Sequence, residues 1–156
     1  MATYQTTYGT APAKGLPGQI ASEEKCNKVS REVETAAGIA FGAPAQRGTA
    51  DHGVAILSTG DFLGIAVLNP AVPPDADNPD AYPQYFTGAF MTQGAMYVTA
   101  GATVAAGDPV YYVAATGRYS NIADVTPNPA IPDAFFEEGA VDGGIVQISL
   151  GLRHQA

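Results

Sequence analysis

A single cysteine, Cys26, in 156 residues leaves no partner for an internal disulfide and no thiol set for a cysteine-rich zinc site. Charge is scarce as well. Asp, Glu, Lys and Arg make up 14% of the chain, where about 25% is usual, and the net charge is -8. No cluster of Lys or Arg occurs, so nucleic-acid binding by phosphate neutralisation is not expected. No apolar run approaches the roughly 18 residues of a membrane span, and the opening MATYQTTYGT has neither the basic nor the apolar region of a signal peptide. These absences predict a chain made in a cytoplasm, with no membrane and no nucleic acid among its partners. A surface so poor in charge occurs where a partner covers it, or where loops of Ala, Thr and Gly form the exterior.

What the chain holds in excess is Gly (18) and Pro (12), together about a fifth of it, where about 12% is usual. Without a collagen-like period, that excess points to many short strands and turns. A length of 156 residues suits one domain that buries roughly 70% of its unfolded surface. Residues 1–20 are polar, with scattered Tyr4, Tyr8, Pro12 and Pro17 and no periodicity. They read as an arm, either frayed or ordered on a partner, ahead of a single β domain at 21–156. The two tyrosines favour the partner, because aromatic residues are enriched where surfaces meet. Residues 22–34, SEEKCNKVSREVE, fit a helix through Val29 and Val33 and a strand through Val29, Arg31 and Val33. The β-rich context selects the strand.

Short apolar runs follow at 54–57 and 61–68, the second with Gly64 inside it, a sign of a bulge or a close backbone approach. Residues 69–83, NPAVPPDADNPDAYP, form a long loop with five prolines and three aspartates. At 84–91, alternation predicts a strand with Tyr85, Thr87, Ala89 and Met91 on one face and Phe86 and Phe90 on the other. Residues 94–120, GAMYVTAGATVAAGDPVYYVAATGRYS, read as a meander of three or four short strands joined by glycine turns. A second Pro/Asn loop covers 121–132, and a short strand covers 134–137. The closing strand at 144–150 places Val146, Ile148 and Leu150 on one face. The fold class is therefore all-β. It is a compact β-sandwich or barrel-like domain of short strands, with an extended N-terminal arm and long Pro-rich loops.

Candidate chemistry is thin. His52 follows Asp51 and lies near Ser58 in sequence, but no G-x-S-x-G elbow presents a nucleophile, and His52 reads as a turn histidine. His154 lies in the C-terminal tail. Asp75, Asp77 and Asp80 are the candidate metal ligands. An EF-hand loop needs glycine at its sixth position and glutamate at its twelfth, where this loop has Asp80 and Phe86. The loop reads as solvated, with a metal site as its alternative. Cys26 sits between Lys25 and Lys28, which could lower its pKa, but no histidine is near in sequence and it reads as a buried or idle thiol. Glu137 and Glu138 are adjacent and would point to opposite faces of a strand. Neither phosphate-cradling glycine motif occurs. No catalytic residue and no cofactor is expected, and the chain does not read as an enzyme.

Residues 104–110, VAAGDPV, resemble the V-x-x-G-D-x-V turn of biotinyl and lipoyl carrier domains, but no lysine follows Lys28 to carry the group. Trimeric dUTP pyrophosphatases share the size and the all-β class, and their substrate motifs find no match. The succession MATYQTTYGTAPAKGLPGQIA, GIAFGAPAQRG, DHG, DFLGIAV, YPQYFTGAFMTQGAMYV, VAAGDPVYYVAATGRYS, IPDAFFEEG and GGIVQISL resembles the tailed-phage structural cement family, capsid decoration proteins of the kind found in Pseudomonas phage heads. The resemblance implies a virion protein, a homotrimer on the outer surface of the icosahedral head. There it would clamp neighbouring major capsid protein subunits and stabilise the shell. On that reading Tyr4 and Tyr8 of the arm, and the loop around Tyr82, make the capsid or trimer contacts. The rival expectation is a glycan- or host-surface-binding module on the particle, which calcium at Asp75, Asp77 and Asp80 would favour.

Overall fold

The computed structural model describes residues 14–74, 77–123 and 128–152, and every helix or strand among them is a strand. In chain order these are β1 (Asn27–Val33), β2 (Ile39–Ala40), β3 (Pro44–Arg47), β4 (Gly53–Ile56), β5 (Phe62–Ala66), β6 (Ala81–Tyr82), β7 (Thr87–Thr99), β8 (Pro109–Val113), β9 (Arg118–Ser120), β10 (Ala130–Phe136) and β11 (Ile145–Leu150). Nine form one sheet in the order β1-β4-β3-β5-β7-β11-β10-β8-β9, and β2 pairs with β6 separately. That order holds two rings. Because β1 also pairs with the first half of β7, the strands β1, β4, β3, β5 and β7 close on themselves. On the other side of β7 come β11, β10, β8 and β9, and a bridge between Ala100 and Tyr119 returns β9 to the end of β7. Closure protects the long strands from stray edge pairing. The all-β, barrel-like class read from the sequence is the one found.

β7 belongs to both rings. Its first half runs antiparallel to β1, with Phe90 opposite Val29, and to β5, with Met91 opposite Ile65. Its second half runs against β11, with Met96 opposite Ile148. Alternate side chains of a strand face opposite sides, so Phe90 and Met91 enter different cores. Strict alternation would then send Met96 to the side opposite Met91. Instead the register against β1 shifts between Asn27 and Lys28, and Gly94 adopts a φ of 146°. The strand turns there, and Met96 and Val98 join Met91 in one core. Side chains rarely tolerate that backbone angle, and a Cβ at residue 94 would also lie 2.6 Å from the buried Met91 sulfur.

The smaller core fills the first ring. Val33, Ala45, Val54, Ala66 and Phe90 come from its strands, together with Ile39, Ala43, Val72 and Tyr82. The Tyr82 ring stacks on Phe86 at 5.5 Å, meets Phe41 edge-on at 5.1 Å and tilts against Phe90 at 5.8 Å. Its hydroxyl donates to the Val67 carbonyl at 2.7 Å, which lets the whole side chain be buried. The larger core holds Met96, Val98, Tyr112, Tyr119, Phe136 and Ile148 inside the second ring, and it reaches under β5 through Ile65 and Val67. β5 and β7 thus form a shared wall, with Ile65 and Met91 on one side and Ala66 and Phe90 on the other. The Tyr119 hydroxyl donates to the Gly42 carbonyl at 2.5 Å and ties β9 to the turn after β2.

Residues 94–120 are not a meander. β7 and β8 do not pair; β11 lies beside β7, and β8 lies between β10 and β9, so only the β8–β9 hairpin remains of that expectation. The intervening segment is held elsewhere: Val104 bridges Ala140, the Ala100 N–H donates to Gly144, and the Gly107 N–H donates to Phe136. β10 begins at Ala130, inside the expected loop, and an irregular register against β8 accommodates Pro132 and the positive φ of Asp133, 53°. Gly64 lies at the register shift between β3 and β5, and a Cβ there would lie 2.7 Å from the Met91 carbonyl oxygen. The segment read as an arm joins the body before residue 21. The Gly18 N–H donates to Tyr97, the Ala21 N–H donates to Ala95, and the Tyr97 N–H donates to Gln19.

Candidate functional site

Polar side chains that could do chemistry are engaged in closing turns. The Glu34 carboxylate accepts from the Thr49 N–H at 2.8 Å, the Thr49 hydroxyl at 3.0 Å and the Ala50 N–H at 2.8 Å. The backbone bonds from Thr49 and Ala50 hold its carboxyl below the usual glutamate value. Gln46 does the same for the turn after β4, its Oε1 accepting from the N–H groups of Ser58 at 2.8 Å and Gly60 at 2.9 Å. Asp108 accepts from the Ala105 N–H at 2.9 Å and from the Asn121 amide at 2.7 Å, and these bonds, Ala105 first, lower its pKa too. The sequence reading missed Glu34 and Gln46. Glu34 and Gln46 act across more than ten residues, so no local pattern marks them. Asp108, three residues after Ala105, was visible as a turn signal.

The residues singled out for chemistry are not assembled into a site. His52 and Ser58 are both exposed, and the Ser58 hydroxyl bonds Gln46. Asp77 and Asp80 are exposed, and Asp75 lies outside the described residues. Among the described residues no group of three or more His, Cys, Asp or Glu side chains converges to hold a metal. Cys26 is half-buried against the larger core beside Gly94. Glu138 pairs with Lys14 at 2.9 Å and accepts from the Gln147 N–H at 3.3 Å. Tyr4, Tyr8 and His154 lie outside the described residues. Tyr82 requires a correction: it is 0% exposed at the centre of the smaller core, so its ring has no face to offer a partner. The exposed aromatic of that segment is Tyr85, three positions on, at 72%.

Among the described residues a few large apolar side chains are also exposed. Leu16, Ile122 and Val141 are exposed, and each stands at a shallow hollow. Leu16 and Pro17 line one of about 200 Å³ with Phe41 and Leu68, and Lys14 lines another of about 360 Å³ around Val141 and Ile145. Residues 14–17 therefore border both hollows. Such surfaces can seat a partner's side chains. Among the described residues each offers one charged side chain, Asp80 in the first and Lys14 in the second, with no second polar side chain beside it among the lining residues.

Over residues 4–151 the chain matches the family described as structural cement protein (E217 gp24/Pam3 gp6). It belongs to that family, and it is a phage virion structural protein that associates with capsid proteins. Its fold is similar to that of a chain from the capsid of Myoviridae phage XM1, with a TM-score of 0.76 and 18% identity over 97% of this chain and 99% of that one. A weaker likeness, at a TM-score of 0.46 and 13% identity, links 83% of this chain to all of the head fiber gp8.5 N base of bacteriophage phi29. No curated protein matches the chain in sequence.

Proposed function

We propose that the protein decorates the outside of an icosahedral head and clamps neighbouring major capsid protein subunits. The observation that carries this reading is the family match over residues 4–151, nearly the whole chain. The physics supports it. A partner that binds only the assembled lattice stabilises it by mass action, and contacts to several subunits raise the effective concentration of each contact. Two closed rings sharing one strand make a stiff body, which transmits such a clamp better than a loop-rich one. Tyr4 and Tyr8, in the stretch ahead of Lys14, make the lattice or trimer contacts. The working assembly is a homotrimer.

Heads purified without the protein and then mixed with it test the reading. The protein is expected to sediment with the heads and to raise the temperature at which they release DNA. A protein that stays in the supernatant, or that binds without any gain in heat resistance, contradicts the clamp. A chain lacking residues 1–13 should keep the melting behaviour of the body and lose attachment; undiminished attachment would remove the arm from the account. The glycan-binding alternative draws on exposed tyrosines and the acidic loop and would gain from calcium at Asp75, Asp77 and Asp80; among the described residues no acidic group converges to hold a metal.

A further inference from the structure

Tyr85 combines strain, exposure and rigidity. Its φ is 66°, in the left-handed region that a non-glycine residue enters at a cost, and its side chain is 72% exposed. The ring therefore returns little to folding through burial. Yet the backbone beneath it is tightly held. The Tyr85 N–H donates to Val33 at 2.8 Å, the Val33 N–H donates to Phe86 at 3.0 Å, and the Phe86 N–H donates to Pro83 at 3.1 Å. Gln84 adds a bond from its amide to the Glu34 carbonyl at 3.1 Å. Phe86, the next residue, stacks on the buried Tyr82. The turn at 35–38, next in chain to Val33 and Glu34, carries the exposed small residues Ala36 and Ala37.

We propose that Tyr85 is a preset anchor whose ring inserts into an apolar pocket of a capsid-protein subunit. This rests on the decoration reading given above. An aromatic side chain on a fixed backbone gives large contact area for little ordering entropy, and such residues dominate binding energy at interfaces.

The test uses the full chain with Tyr85→Asn and Tyr85→Phe, titrated onto undecorated heads by sedimentation. Asparagine tolerates the left-handed region, so Y85N is expected to melt at or above the temperature of the parent. Its affinity for heads should fall about 30-fold, the effect of truncating an interface hot spot, while Y85F retains most of the binding. If the parent binds and Y85N binds equally well, the anchor is overturned alone. If Y85N changes the oligomeric mass in light scattering and leaves the head affinity of the oligomer unchanged, the ring seats on a second copy and the proposal fails. If the parent does not bind heads, the decoration reading falls and takes the anchor with it.

Discussion

The two rings share β7 but are held together differently. The first encloses a small core built around one tyrosine, includes the parallel pair β1–β4, and has its turns tied by Glu34 and Gln46 from distant positions. The second encloses a larger, more aliphatic core between antiparallel strands closed by one parallel bridge, with the β8–β9 hairpin as its most local unit. The first ring thus depends on a few well-placed groups, and the second on burial spread over many. The exposed features with no evident structural use fall on both: Tyr85 beside the first ring, and Val141 beside the second.

Removing the ring of Phe90 should show this difference most strongly. Phe90→Ala leaves a cavity in the small core and should cost about 4 kcal/mol in equilibrium denaturation, against about 3 kcal/mol for Ile148→Ala in the larger one. Because β7 walls both cores, each variant is expected to unfold in a single transition; two separate transitions would break the picture of one body. Gly94→Val places a branched side chain at a φ of 146° and should cost about 3 kcal/mol, loosening both cores together in hydrogen exchange. Loss of protection in one ring alone would show that Gly94 is not the shared pivot.

The effect of Tyr119→Phe should be smaller. It leaves the Gly42 carbonyl without its donor and should cost about 1–2 kcal/mol. Burial raises the hydroxyl pKa of Tyr82 and Tyr112, and raises that of Tyr119 well above its usual value, with the neighbouring Tyr112 adding to it. A folded value above the unfolded one gives stability that is full below about pH 10 and is lost as pH rises through the folded values. An ultraviolet titration should therefore show part of the tyrosine signal appearing only with unfolding. Ionisation of every tyrosine near pH 10 in the folded chain would contradict the burial of these three.

Glu34→Gln should have the smallest global effect, because the half-buried side chain lies outside both cores, but it should speed amide exchange at Thr49 and Ala50. The same sign rule makes the bonds of Glu34 and Asp108 complete above the ordinary carboxylate range. They are lost as pH falls through the depressed folded values. Acid exchange measurements should then show the turn at 49–50 opening ahead of the β-ladders.

The β class was legible because alternation and glycine turns are local signals. Val29, Arg31 and Val33 alternate inward in β1, and Val146, Ile148 and Leu150 line the larger core as their spacing implied. The order of the strands was not legible. β7 and β8 follow one another in sequence, but the bonds that separate them run to Ala140, Gly144 and Phe136, which no local pattern announces. Tyr82 was read as a surface residue because it ends a polar loop. Its burial depends on a hydrogen bond to Val67 and on the rings of Phe41, Phe86 and Phe90. Tyr85 was read as a strand residue, since a sequence does not show a positive φ at a tyrosine.

The central claim is a stiff two-ring body that bridges capsid subunits, and a cryo-EM reconstruction of heads decorated with the purified protein tests it most directly. The account expects density for both rings on the outer surface, touching at least two major capsid protein subunits, with the Tyr85 side of the first ring against the shell. Density confined to a single subunit, on the inner surface or at the tail would contradict it.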